Sequence, residues 1–271
     1  MEKIIDTPMP TALIILRNDL RVHDQLPLEF AKVNKIQIIP IFIHDEIRQG
    51  KWKLGKSSKW WLHHSLTKLQ STYADHGHTL KLFKGDALQI IDELVRTCDV
   101  KYILYNKCYE KYNRDLEKDI KDMYSSDHTI KIVPFNGNIM TEPDQILNNQ
   151  GSHFKVFTPF YKKFISFHEN MRAPLEIDLS EIPVFMCTNP PSPLHTSSPS
   201  PCTTDELHLL DPTLDPSQYP TWWTPGEEAG LAKLDAWLPK VGHYKALRDF
   251  PFKKATSRLS PHYHFGEVSP Y

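Results

Sequence analysis

Two stretches of this chain combine residue types that could do chemistry. The first is Arg17-Asn18-Asp19-Leu20-Arg21-Val22-His23-Asp24, in which two guanidiniums and two carboxylates stand close together. Such a loop can form a fork-to-fork ion-pair network. It could frame a polar ligand site or brace the loop against a neighbouring domain. Paired charges perturb one another without doing chemistry, which favours the brace. The second stretch is Thr256-Ser257-Arg258-Leu259-Ser260. Adjacent hydroxyls, exposed backbone N–H groups and one arginine suit a pyrophosphate, which takes charge-assisted hydrogen bonds and a bidentate clamp. The same residues before a helix also read as ordinary capping.

Other clusters carry less. His262-Tyr263-His264 sets two imidazoles at i, i+2 with no third ligand nearby, so no metal site is expected. Trp222, Trp223 and Trp237 are expected to pack, seating a second domain on the first. Cys98, Cys108, Cys187 and Cys202 lie far apart in no metal-ligand spacing and read as reduced thiols. No glycine-rich dinucleotide fingerprint follows the first strand, and no P-loop occurs.

These residues need elements to position them. Residues 12–16 form a short apolar run bounded by polar residues, the pattern of a strand buried on both faces. Ile36–Ile43, Leu80–Phe83, Tyr102–Tyr105 and Ile130–Phe135 repeat it. Helical periodicity lies between them, at Leu26–Val33, Ser58–His76, Ala87–Cys98 and Arg114–Met123. Strands alternating with helices predict right-handed crossovers and a five-stranded, doubly wound parallel sheet over residues 1–170. A ligand would then bind beyond the carboxyl ends of the strands, where the Arg17–Asp24 loop falls.

The composition changes after Ala173. Of 22 prolines, 11 fall between Ala173 and Pro225, so residues 171–225 read as an interdomain linker with too little apolar area to fold alone. Order is expected to resume over residues 226–271. Thr224 suits an N-cap, Pro225 the first helical position and Glu227 the reciprocal position of a capping box, with a helix through Trp237. Ser269-Pro270 again has the chemistry of a helix start, and the expectation is a chain cut within its second domain.

Bulk properties set limits. With 271 residues, 40% hydrophobic and 24% charged, the composition is that of an ordinary soluble protein. A net charge of −1 advertises no nucleic-acid or membrane partner, though a local basic groove can hide inside a neutral total. No run approaches the roughly 18 apolar residues of a membrane helix. Glu2 and Asp6 precede any apolar stretch, so no signal peptide is read and the cytoplasm is expected. Nothing in the sequence specifies an oligomeric state.

In order along the chain, the Arg17–Asp24 loop, Asn106–Arg114, Phe154–Phe160, and Tyr244–Phe250 with Thr256–Pro261 resemble landmarks of the photolyase/cryptochrome family. The resemblance runs from about Thr11 to Tyr271. It implies an FAD cofactor whose phosphates and ribityl chain are met by Tyr244, Thr256, Ser257, Arg258, Leu259 and Ser260. It also implies that Arg248 meets a DNA backbone phosphate. The implied activity is light-driven repair of pyrimidine dimers in DNA, the dimer being flipped out of the duplex into a pocket. The alternatives are blue-light signalling by the same flavin, or an inactive truncated α/β module. Family members also carry an antenna pigment, a folate or a deazaflavin. Where folate-binding members place an Asn-Glu pair this chain has Tyr112-Asn113, so the pigment is left unassigned, and no catalytic residue is assigned.

Overall fold

The computed structural model describes residues 9–167, 171–186, 200–213, 215, 217, 219 and 223–271. The elements, in chain order, are β1 (Thr11–Leu16), α1 (Leu26–Val33), β2 (Gln37–His44), α2 (Glu46–Gln49), α3 (Lys56–Asp75), β3 (Lys81–Lys84) and α4 (Ala87–Thr97). They continue with β4 (Val100–Asn106), α5 (Lys111–Met123), β5 (Lys131–Phe135), α6 (Phe157–Phe167), α7 (Glu227–Trp237), α8 (Tyr244–Leu247) and α9 (Ser260–His264). All five strands are parallel and run in the order β3-β2-β1-β4-β5. The chain winds outward from β1 through β2 to β3, then crosses to β4 and β5. This is the doubly wound α/β sheet expected, with its topological switch between β1 and β4.

Both faces of the sheet are covered, as the continuous apolar strands require. Side chains alternate along a strand, so β1 sends Ala12, Ile14 and Leu16 to one core and Leu13 and Ile15 to the other. The first core is filled by Leu28 and Ala31 of α1 and by Trp60, Trp61, Leu66 and Leu69 of α3. The second is filled by Ile90, Ile91 and Leu94 of α4 and by Leu116 and Ile120 of α5. Proline, lacking an N–H, is confined to places where the ladder can spare a donor. Pro134 sits in the edge strand β5, and Pro40 precedes Ile41, the point at which β3 begins to pair with β2.

Three expectations need correction. First, the Pro-rich stretch does bury apolar area: Leu179, Ile182, Leu207 and Leu209 are 1–2% exposed and belong to the first core. Val184 bridges to Ile38 and Cys202 to Leu82, so these parts form a strap along the sheet domain. Leu179 and Leu207 reach the core from short 3-10 turns, and Ile182 and Leu209 from the irregular chain beside them, with no longer helix or strand to carry them. Second, α7 opens at Gly226 (φ +105°), not Thr224, and its first residue Glu227 does not complete a capping box. Its carboxylate instead accepts the N–H groups of Val22 (2.8 Å) and His23 (2.6 Å) in the loop after β1. A long-range pair of donors has displaced the local cap. Third, the charges of the Arg17–Asp24 loop reach out to other segments more than to one another, as set out below. Trp222 and Cys187 lie outside the described residues, and no helix among those described is long and apolar enough to cross a membrane.

Candidate functional sites

The loop after β1 works as a brace. Arg21, 1% exposed, donates to the carbonyls of Gly266 (2.9 Å) and Gly137 (2.7 Å). Leu20 N–H donates to the Phe265 carbonyl at 3.0 Å. Asp24 accepts from both guanidinium nitrogens of Arg172, from Leu175 N–H and from Ser269 Oγ. Burial alone would push the Asp24 carboxyl up, but these hydrogen bonds outweigh it and hold the group below its ordinary value. Arg17 turns the other way, to Glu117 (2.8 Å) and the Asn106 carbonyl, with its guanidinium over the Tyr105 ring. Residues 226–271 are thus fastened to the carboxyl ends of the strands.

Beside this brace lies a cleft of about 710 Å³, a volume in the range of small-molecule sites. Its apolar wall includes Phe42, Trp52, Leu54, Leu62 and Phe265, and its polar side includes Arg17, Asn18, His44, Gln49 and Tyr112. It sits where strand ends and the switch between β1 and β4 place a ligand. Three of its residues keep buried polar atoms without a protein partner: Arg17 Nε, His44 Nδ1 and Gln49 Oε1. Unpaired buried polar atoms are costly and mark sites where another group completes the pairing. Burial pushes the His44 imidazole below its ordinary value and, with Glu110, lifts the Tyr112 phenol to about 12. Both groups are therefore neutral near pH 7. Glu110 is fixed between Asn18 Nδ2 (2.7 Å) and Asn113 Nδ2 (3.1 Å). Apart from Arg17–Asn18 and Glu110–Asn113, which fall in two of the landmark stretches, these residues carried no motif, because the cleft is assembled from strand ends far apart in sequence.

A second concavity, about 570 Å³ and more open, lies on the 226–271 segment. It is lined by Lys233, Ala236, Trp237, Lys240, Lys254, Thr256, Ser257 and Arg258. Among the described residues four cations and two hydroxyls line it without a carboxylate, the donor set for a dianionic group. Arg258 takes φ +55°, a left-handed conformation that costs a non-glycine residue roughly 1–2 kcal/mol. The structure therefore unites three residues of the predicted run with three lysines that sequence reasoning passed over. Lys233 stands on α7 and Lys240 in the short turn that follows it, and neither belongs to a charged motif in the sequence.

The remaining predicted residues stand apart from the groove. Leu259 is 2% exposed and packs in the interior, while its N–H reaches Ser257 Oγ at 3.4 Å. Ser260 opens α9 and does not line the groove. Tyr244 is 40% exposed and meets the edge of Trp237 at 6.1 Å, one ring removed from the lining. Arg248 lies at the surface, 3.6 Å from Asp249 and over the Tyr244 ring. His262 and His264 diverge, His262 to Glu267 and His264 to the cleft beside Phe265. Trp223 does join the two parts, edge-on to Trp61 at 6.0 Å.

Comparison with known proteins decides what this arrangement belongs to. The family model described as DNA photolyase matches residues 12–177. The chain belongs to the DNA photolyase family. A deoxyribodipyrimidine photo-lyase from Agrobacterium fabrum is 31% identical over 97% of this chain and 52% of its own length. Cryptochrome-1 from Arabidopsis thaliana is 27% identical over 95% of this chain and 36% of its own. The crystal structure of a bacterial class III photolyase from Agrobacterium tumefaciens superposes with a TM-score of 0.85 at 29% identity, covering 99% of this chain and 53% of that one. The chain spans about half the length of the photo-lyases it matches.

Proposed function

We propose that this chain carries the pigment cleft and the flavin-phosphate groove of a deoxyribodipyrimidine photo-lyase, an FAD-dependent enzyme that uses blue light to split cyclobutane pyrimidine dimers in DNA. The observation that carries this reading is the groove, which Thr256, Ser257 and Arg258 line together with Lys233, Lys240 and Lys254, with no acid among the described residues of the lining. The fit is to the phosphates. Trp237 is the single aromatic ring among the described residues of the lining, so these offer little wall for the flavin and adenine rings. Photo-lyase is favoured over cryptochrome-type signalling because the Agrobacterium photo-lyase is 31% identical, against 27% for the Arabidopsis cryptochrome.

When bound, FAD supplies the light-driven electron transfer on which dimer cleavage depends. The chain's own residues bind and orient. Arg258 would fork onto phosphate oxygens, Thr256 and Ser257 would add hydroxyl donors, and Tyr244, against Trp237, would meet the ribityl chain. Arg248, exposed on the same segment, contributes a DNA backbone phosphate contact. The cleft at the strand ends would hold an antenna pigment, with Phe42, Trp52 and Phe265 supplying apolar surface and Arg17, His44 and Gln49 supplying polar partners. Residues 1–170 form the α/β domain, 171–225 the connecting strap, and 226–271 the opening of the flavin-binding domain.

A chimera in which residues 1–271 replace the matching half of the Agrobacterium photo-lyase tests this directly. It is expected to purify with flavin and to remove cyclobutane dimers from irradiated DNA under blue light but not in darkness. A flavin-loaded chimera without light-dependent dimer loss would overturn the repair reading.

A further inference from the structure

Behind the groove lies a chain of polar contacts that the binding residues themselves do not explain. Lys233 lines the groove, yet its ammonium is drawn inward to 3.2 Å from His262 Nε2 and 4.9 Å from the centre of the Trp223 ring. An ammonium can only donate, so Nε2 accepts and the imidazole proton resides on Nδ1. Nδ1–H then donates to Glu267 Oε2 at 2.6 Å. His262 and Glu267 are both 0% exposed. The other carboxylate oxygen of Glu267 accepts from Trp61 Nε1 (3.0 Å), from Gly226 N–H (2.7 Å) and from Ser65 Oγ. Four donors from three separate segments thus fix one buried carboxylate, which fixes one histidine tautomer, which presents one acceptor to Lys233.

We propose that Lys233 is an anion-binding cation of the groove, and that His262 and Glu267 are positioning residues that hold its ammonium at the groove's inner edge. The proposal rests on the groove being the flavin-phosphate site and adds residues to it. The lysine sits in an unfavourable place without an anion. Burial lowers its affinity for its proton, Glu267 opposes that, and the charge of Arg258 adds to the lowering. Two cations held near one another on a partly dry wall repel, and a phosphate between them relieves that repulsion. A flexible lysine normally gives up side-chain entropy on binding an anion; the His262 contact has already ordered this one. Trp61 and Ser65 belong to α3, so the same relay registers the groove against the sheet domain.

Isothermal titration of the 271-residue chain with inorganic pyrophosphate in low-salt buffer decides the matter. Lys233→Met is expected to weaken binding about tenfold and Lys233→Arg to restore most of it, since a guanidinium supplies the same charge. His262→Phe keeps a ring in place but removes the acceptor, and is expected to weaken binding several-fold in the wild-type background and not at all in the Lys233→Met background. That non-additivity is the mark of a residue acting through Lys233. Should His262→Phe fail to fold, the two Lys233 variants decide alone. Arg258→Ala separates the two levels of the argument. If it weakens binding while Lys233→Met does not, the groove stands and the role of Lys233 is refuted. If wild type does not bind, or neither variant changes binding, both the groove and the relay are refuted.

Discussion

At the scale of single residues, the two loops singled out by their charge turned out to differ in kind. Thr256, Ser257 and Arg258 could be singled out from the sequence because groups able to donate to a phosphate stand consecutively there, and the structure brings all three to one groove. Lys233, Lys240 and Lys254 could not, because each is an unremarkable lysine until α7, the turn after it and the loop after α8 bring them to one groove. Glu267 was equally silent, a lone acid whose four donors come from elsewhere. In the chimera, Arg258→Ala is expected to lower flavin retention, and Arg248→Ala to spare flavin while weakening DNA binding and flattening its salt dependence. Equal flavin loss in both variants would show that Arg248 belongs to the cofactor site. Asp24 supplies a pH test. Its folded-state value lies below its ordinary one, so its stabilising contribution is present above about pH 4 and is lost as pH falls through the lowered value. Asp24→Asn is therefore expected to destabilise by about 1–3 kcal/mol at pH 7, with Arg172 partly exposed, and the gap to wild type should close on acidification. Denaturant melts at pH 7 and at pH 3 measure it; a constant gap would show that the ion pair contributes nothing.

At the scale of elements, strands and sheet helices were legible because each is a local pattern. Apolar runs gave β1–β5, and 3.6-residue periodicity gave α1, α3, α4 and α5, with boundaries shifted by at most three residues. The strap was misread for the opposite reason. Composition averages over a segment, whereas Leu179 and Ile182 enter the core one at a time. Leu179→Ala is expected to cost about 2–5 kcal/mol, the price of a buried leucine, measured by thermal or urea unfolding. A change below about 0.5 kcal/mol would mean the strap is a tether after all. The start of α7 failed for a related reason. A capping box is a local rule, and Glu227 is engaged across the molecule by Val22 and His23.

At the scale of the whole molecule, the sheet domain and the 226–271 segment meet with little room to spare. Gly266 has φ +65°, and a Cβ there would overlap the backbone of Asn18 and Asp19. Gly266→Ala is expected to loosen the segment from the sheet domain, with Trp61 and Trp223 reporting through near-ultraviolet circular dichroism and fluorescence; an unchanged signal would contradict the docking. That docking leaves two concavities on one body, a cleft at the strand ends and a cationic groove. The central claim is that the groove holds FAD by its phosphates, and competition binding tests it most directly. The 271-residue chain is titrated with FAD and with riboflavin, which has the same ring system and no phosphate, and inorganic pyrophosphate is then added. FAD is expected to bind weakly, riboflavin negligibly, and pyrophosphate to displace FAD, because the groove offers cations and little ring wall. Riboflavin binding as well as FAD, or FAD held against excess pyrophosphate, would contradict the account.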